Sequence, residues 1–111
     1  MSSPAPESRE QIADAVVRCI DAKDLRKALA ICQRLNQQHA DYAYGWYLAS
    51  FLMQKVRHYP DAIRAIDRAL QLASLDKYQL HKIRCHFEAN DLAGAIAAAA
   101  VHGVLAAMAA M

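Results

Sequence analysis

The sequence predicts an all-α protein: a solenoid of three helix-turn-helix repeats, about six antiparallel helices in all. Three observations carry that expectation. The first is a register of 34 residues, in which Ile12, Ala15, Val16 and Cys19 step onto Trp46, Ala49, Ser50 and Met53. The same step takes Leu25, Ala28, Leu29, Cys32 and Leu35 onto Tyr59, Ala62, Ile63, Ile66 and Ala69. Apolar meets apolar at almost every step, and a fixed period of this length marks units that bury their faces only against neighbours. The second is helical spacing within each segment, with no alternating strand pattern to compete. The third is linkers of a few residues, which make successive helices antiparallel neighbours.

The elements follow in order. Ser8 opens a capping box with Gln11 three residues on, so the first helix starts there and runs to about Ala22. A second opens near Asp24 and runs to about Gln38. Asp41 is placed to cap a third, which continues to about Arg57. Pro60 suits the first turn of a fourth, where its missing N–H costs nothing, and that helix ends near Ala73. Ser74 or Asp76 starts a fifth, to about Ala89, and Asn90 or Asp91 starts a sixth. Residues 1–7 are rich in Ser, Pro and Ala and read as a disordered leader. The folded domain is then 8–111, with repeats at about 9–42, 43–75 and 76–109.

Composition narrows the function classes. Of 111 residues, 56% are hydrophobic, ample for one core. The formal charge is +2, from 13 basic and 11 acidic residues that are interspersed, unlike the clustered cations of a nucleic-acid surface. The start has neither the basic end nor the apolar run of a secretory signal. Three cysteines have no zinc-ribbon or thioredoxin spacing. They read as buried free thiols, which points to a reducing compartment, the cytoplasm.

Enzyme signatures are missing. There is no phosphate-cradling glycine loop, nucleophile elbow or HExxH. His81 and Cys85 lie one helical turn apart, but a closed metal site needs about four ligands, and Asp76 and Glu88 are not well spaced to complete one. No metal and no cofactor are expected. His39, His58 and His102 fall near helix ends, where a cation suits the dipole.

The middle unit is the clearest. Trp46, Ala49, Ser50 and Met53 form one stripe on its first helix, and Tyr59, Ala62, Ile63, Ile66, Ala69 and Leu70 another on its second. Large side chains alternate with small ones, which lets two helix axes approach while the large ones fill the gaps. Trp46→Ala is therefore expected to rank among the most costly substitutions. Here the chain resembles the tetratricopeptide repeat family, whose pattern is matched by Trp46, Ser50, Tyr59, Ala62 and Ala69. Met53 replaces the family's usual aromatic, and Ser74 stands where a helix-ending Pro is common. The first unit keeps Leu25 and Ala28 but has Ile12 for the Trp. In the third, Leu80, Ile83 and Phe87 align with Trp46, Ala49 and Met53 at a step of 34, whereas Asp91–Ile96 aligns only at 33. One residue is then lost in that unit's turn, and Arg84 falls where a small residue is expected.

The resemblance implies a right-handed stack whose first helices line a concave groove that takes a peptide or partner helix. On the helix from Asp41 to Arg57 no residue between Asp41 and Lys55 is charged. Beside the Trp46 stripe runs a second one, Tyr44, Tyr47, Leu48 and Phe51. Inter-repeat packing accounts for Leu48. Two neighbouring tyrosines suit either that packing or contact with a partner, since tyrosine gives stiff contact area with one polar tip. The matching face of the first unit holds Ala13, Val17 and Ile20, and that of the third Lys77 or Tyr78, His81 and Arg84. Candidate groove residues are thus Val17, Tyr44, Tyr47, Phe51, Lys77, His81 and Arg84. Some relatives grip a chaperone's C-terminal carboxylate with Lys, Asn and Arg. The matching Ala13, Val17 and Leu48 cannot donate to one, so an apolar peptide with an acidic end near Arg84 fits better.

From Leu92 to Met111 no residue is charged. Alanine gives little insertion energy, so no membrane span is expected. Solenoids usually close with a polar helix, and this one ends on Val104, Leu105, Met108 and Met111. These are a candidate self-association surface that would give a homodimer. The leading functional expectation is a non-catalytic protein–protein interaction module, a scaffold or adaptor. The alternatives are the N-terminal repeat module of a larger enzyme or assembly, and a small secretion-type chaperone for an aggregation-prone client.

Overall fold

The structure, a computed structural model, describes residues 7–101. The rest of the leader, and the apolar residues Val104, Leu105, Met108 and Met111, lie outside the described residues. Six helices follow one another: α1 (Arg9–Asp21), α2 (Leu25–Gln38), α3 (Ala43–Lys55), α4 (Tyr59–Leu72), α5 (Asp76–Glu88) and α6 (Leu92–Val101). No strand occurs among the described residues.

The helices pair as hairpins through three turns of one design. Lys23, Arg57 and Asn90 all take the left-handed conformation, with φ of 62°, 64° and 61°. In the first turn Lys23 N–H donates to Ile20 O and Asp24 N–H to Cys19 O, both at 2.9 Å. Arg57 and His58 repeat this with Gln54 and Met53, and Asn90 and Asp91 with Phe87 and His86. These are Schellman motifs, which satisfy the last carbonyls of a helix. The residue closing each motif is also the N-cap of the next helix: Asp24, His58 and Asp91. Asp24 accepts from Lys27 N–H at 3.2 Å and Asp91 from Gly94 N–H at 2.9 Å. Both halves of the Ser8–Gln11 capping box form. The cap expected of Asp41 does not, because Tyr42 is the N-cap of α3 and makes no side-chain cap bond. The fifth helix starts at Asp76, one of the two residues expected, after an N-cap Leu75 that makes no side-chain bond either.

The left-handed residues also fix the register, stepping by 34 from 23 to 57 and by 33 from 57 to 90. The missing residue is not in the third unit's turn. It is in the link before it, since residues 39–42 join α2 to α3 and only 73–75 join α4 to α5. The whole of α5 therefore aligns with α3 at 33. Tyr78, His81 and Cys85 face inward, while Leu80 and Phe87, expected on the buried stripe, are 52% and 65% exposed. Arg84 no longer occupies a small-residue position, since Ile83 now matches Ser50.

Packing follows sequence order, with two additions: α1 touches α3, and α3 touches α5. The first helices thus contact one another along one side of the stack, here called its inner side. Ile12, Val16, Ala28, Cys32, Leu35, Leu48 and Leu52 form the core of units one and two. Ile66, Ala69 and Tyr78 join unit two to unit three, with Trp46 and Tyr47 partly buried against them. Ser50 and Ala62 are fully buried, and Ser50 Oγ donates to Ala62 O at 2.6 Å. That contact is the close α3–α4 approach expected of small residues. Lys82 pairs with Asp67 at 2.7 Å and ties α5 to α4.

Candidate functional site

An aromatic ridge crosses the inner side where α1, α3 and α5 meet. Arg9 of α1 lies 4.7 Å from the Tyr42 ring centroid. Tyr42 meets Tyr44 edge-on at 6.1 Å, Tyr44 stacks on Tyr47 at 6.0 Å, and Tyr47 stacks on Tyr78 of α5 at 5.0 Å. The ridge has the spacing of favourable ring pairs. It arises because Tyr44 and Tyr47, three residues apart, share one face of α3, while the shortened α4–α5 link turns Tyr78 toward them. The phenols of Tyr44 and Tyr78 are held above their usual pKa by burial first and then by neighbouring tyrosines. They stay neutral donors at physiological pH.

Cations border the ridge. Lys77 Nζ sits 5.1, 5.4 and 5.5 Å from the centroids of Tyr44, Tyr47 and Tyr78. Lys55 Nζ sits 5.1 Å from that of Phe51. Neither lysine pairs with a carboxylate among the described residues. Ring faces attract both through the quadrupole.

Of the groove residues expected from sequence, Tyr44, Tyr47, Phe51 and Lys77 come together here. Val17 is half-buried against the core of units one and two, the same cluster that Tyr42 and Tyr44 pack on. Arg84 is exposed on α5. His81 is only 5% exposed, so it forms no open groove wall and lies beneath the ridge instead. Its ring is 5.3 Å from that of Tyr47 and 6.5 Å from that of Phe51. Sequence spacing does not single out Tyr42, Arg9 or Lys55. A Tyr two residues before Tyr44 is the one trace, and it is hidden because Tyr42 precedes the helix.

Beneath the ridge runs a short polar chain. His81 Nε2 is 2.9 Å from Ser50 Oγ and 3.4 Å from Cys85 Sγ. Ser50 spends its one proton on Ala62 O, so the network assigns Nε2–H as the donor to Ser50 Oγ. This is not a nucleophile with its base. All three side chains are buried, the hydroxyl proton is committed, and burial pushes the Cys85 thiol up to about 11. Burial likewise pushes Cys32 up to about 12. Among the described residues no group of three or more His, Cys, Asp or Glu is placed to hold a metal ion, and no helix is long and apolar enough to cross a membrane.

A stack of helix pairs of this kind is also the frame of one kind of solved structure. The chain is similar in fold to SycD. That protein is the type III secretion translocator chaperone of Yersinia enterocolitica, and one SycD structure, described as an alternative dimer, superposes with a TM-score of 0.81 at 15% identity. The match covers 93% of this chain and 79% of SycD. A second SycD structure, in complex with a peptide of the translocator YopD, gives 0.78 at 15% identity over 86% and 74%. The likeness to SycD is one of fold, all-helical and built of paired repeats. No family model matches the chain, and no curated protein does.

Proposed function

We propose that this chain is a non-catalytic chaperone-type module of the tetratricopeptide kind, which holds a partner polypeptide along the inner face of its first helices. The aromatic ridge Tyr42–Tyr44–Tyr47–Tyr78 carries the proposal. Tyr42, Tyr44 and Tyr47 offer half-buried ring faces and hydroxyl tips on the side where the first helices contact one another, backed by the buried Tyr78, and that composition favours partner contact. The SycD complex with a translocator peptide supports it, because the same fold there accommodates a peptide. Phe51, Lys77 and Arg84 extend the surface, with Arg84 placed to orient an acidic partner residue.

Binding by burial of apolar surface suits a client that aggregates when free, which is why a secretion-type chaperone is favoured over a general scaffold. Three free thiols, two of them buried, suit a reducing compartment, and we place the protein in the cytoplasm. Self-association through Val104, Leu105, Met108 and Met111 is part of the same proposal. Light scattering across a concentration series reads it directly, and a monomer at every concentration rejects it.

The binding role is tested by co-expressing the chain with fragments of candidate apolar clients, with and without Tyr44→Ala/Tyr47→Ala. The intact chain keeps a client soluble and the double variant, still folded by circular dichroism, does not. Equal solubilisation by both proteins rejects the ridge as the binding face.

A further inference from the structure

Lys77 occupies the place a ligand would be expected to take. Its ammonium lies over three ring faces from two helices, at nearly equal distances. It belongs to the first turn of α5, where the helix dipole disfavours a cation. No described carboxylate holds it there. The rings are therefore what keep it in position, and at an exposed site that attraction is weak.

We propose that Lys77 is a displaceable gate over the Tyr44–Tyr47–Tyr78 cluster, and that the segment it admits carries a carboxylate next to an apolar or aromatic anchor. This rests on the binding role proposed above and specifies its ligand. An anchor can stack on the half-buried rings of Tyr44 and Tyr47, with the buried Tyr78 behind them, only after the ammonium leaves them. The displaced ammonium then loses its ring contacts, and a carboxylate beside the anchor restores a partner to it. The surroundings favour that sign of charge. Lys55 lies over Phe51 without an acid, and Arg84 is exposed on α5 close enough to bias the His81 imidazole. Glu88 is engaged by Gln54, Asp67 by Lys82 and Asp14 by Arg18, while the exposed Asp76 precedes Lys77 on α5 and forms no ion pair with it. A purely apolar segment displaces Lys77 with no compensation, and a basic one adds repulsion.

The test uses two labelled, end-blocked peptides of one apolar sequence with a central Leu, one with Asp and the other with Asn beside it. Fluorescence anisotropy at low salt compares them on the intact chain and on Lys77→Met. On the intact chain the Asp peptide binds about threefold to fivefold tighter, the upper range for an exposed charge pair. On Lys77→Met that preference collapses, and the Asn peptide binds tighter than it does to the intact chain, because the cluster is already open. An unchanged Asp/Asn ratio overturns the gate, as does a collapse produced by Arg84→Gln and not by Lys77→Met. Failure of both peptides to bind either protein overturns the inner-face reading itself, and the gate with it. A measurement on the intact chain stands in should Lys77→Met not fold. The Lys77 ε-protons are shifted upfield by the rings in the free protein and return toward ordinary positions with the Asp peptide. Protons that stay shifted in the complex overturn displacement.

Discussion

Ser50 and His81 meet across the α3–α5 junction, with Oγ and Nε2 2.9 Å apart and both side chains buried. The imidazole is held below its ordinary pKa, by burial first and by the Arg84 charge second, while Ser50 and Glu88 act the other way. Cys85, Tyr47 and Phe51 complete its surroundings. The unfolded chain then takes up a proton, below about pH 6.5, that the folded chain resists. This part of the stability is whole above that value and is lost as pH falls through the folded pKa. Urea midpoints at pH 7.5 and 5.0 should therefore fall further for the native chain than for His81→Gln. Equal falls would assign the pH dependence to other groups.

Leu52 outranks Trp46 in the core. Trp46 is only half-buried, and its indole N–H donates to Ala40 O at 2.9 Å, whereas Leu52 is fully buried. Leu52→Ala should cost about 2–5 kcal/mol, and Trp46→Ala less, about 2 kcal/mol. Chemical denaturation of the two variants side by side checks the order.

Arg57→Gly should stabilise. Arg57 holds a left-handed φ that costs a side chain about 1–2 kcal/mol, and glycine's freer unfolded chain returns part of that gain. A net increase of about 0.5–1 kcal/mol is expected. Asn90→Gly should gain less, since asparagine tolerates this region.

Gly45→Ala should destabilise, although alanine is the better helix former by about 1 kcal/mol. A Cβ on Gly45 would collide with Asn36 Oδ1 and come within 3.2 Å of Leu35 Cδ2. Asn36 and Leu35 are both buried, and Asn36 Oδ1 has no hydrogen-bond partner to turn toward. A melting temperature above that of the native chain would show that the Asn36 side chain moves aside freely.

Tyr47→Ala should leave the chain folded. Tyr47 is half-buried, so the loss is chiefly its ring pairs with Tyr44 and Tyr78, about 1 kcal/mol each. Loss of the helical circular dichroism signal at 25 °C would move Tyr47 into the core.

The 34-residue register was legible because units one and two bury plain apolar side chains at matching positions, Cys32 with Ile66 and Leu35 with Ala69. It misled in unit three for a physical reason. There α5 buries Tyr78, whose ring stacks on Tyr47, and His81 and Cys85, whose polar atoms find partners inside, while Leu80 and Phe87 face outward at helical spacing. Apolar periodicity therefore picks the wrong face. Stepping by residue type also passes over the turns, because Lys23 and Arg57 lack the glycine that usually marks a left-handed helix end. The ridge was half legible. Tyr44 and Tyr47 share a helix face, but Tyr78 joins them only through the short link at 73–75, whose effect no local pattern carries.

The three turns have a mechanical consequence. Because the residue that closes one helix also caps the next, the two helices of a hairpin share their end bonds and leave no slack between them. The links at 39–42 and 73–75 lack that double duty. Any rocking of one hairpin against the next is therefore expected to be taken up at these links. The ridge spans the 73–75 link through Tyr47 and Tyr78, so such rocking would change its width.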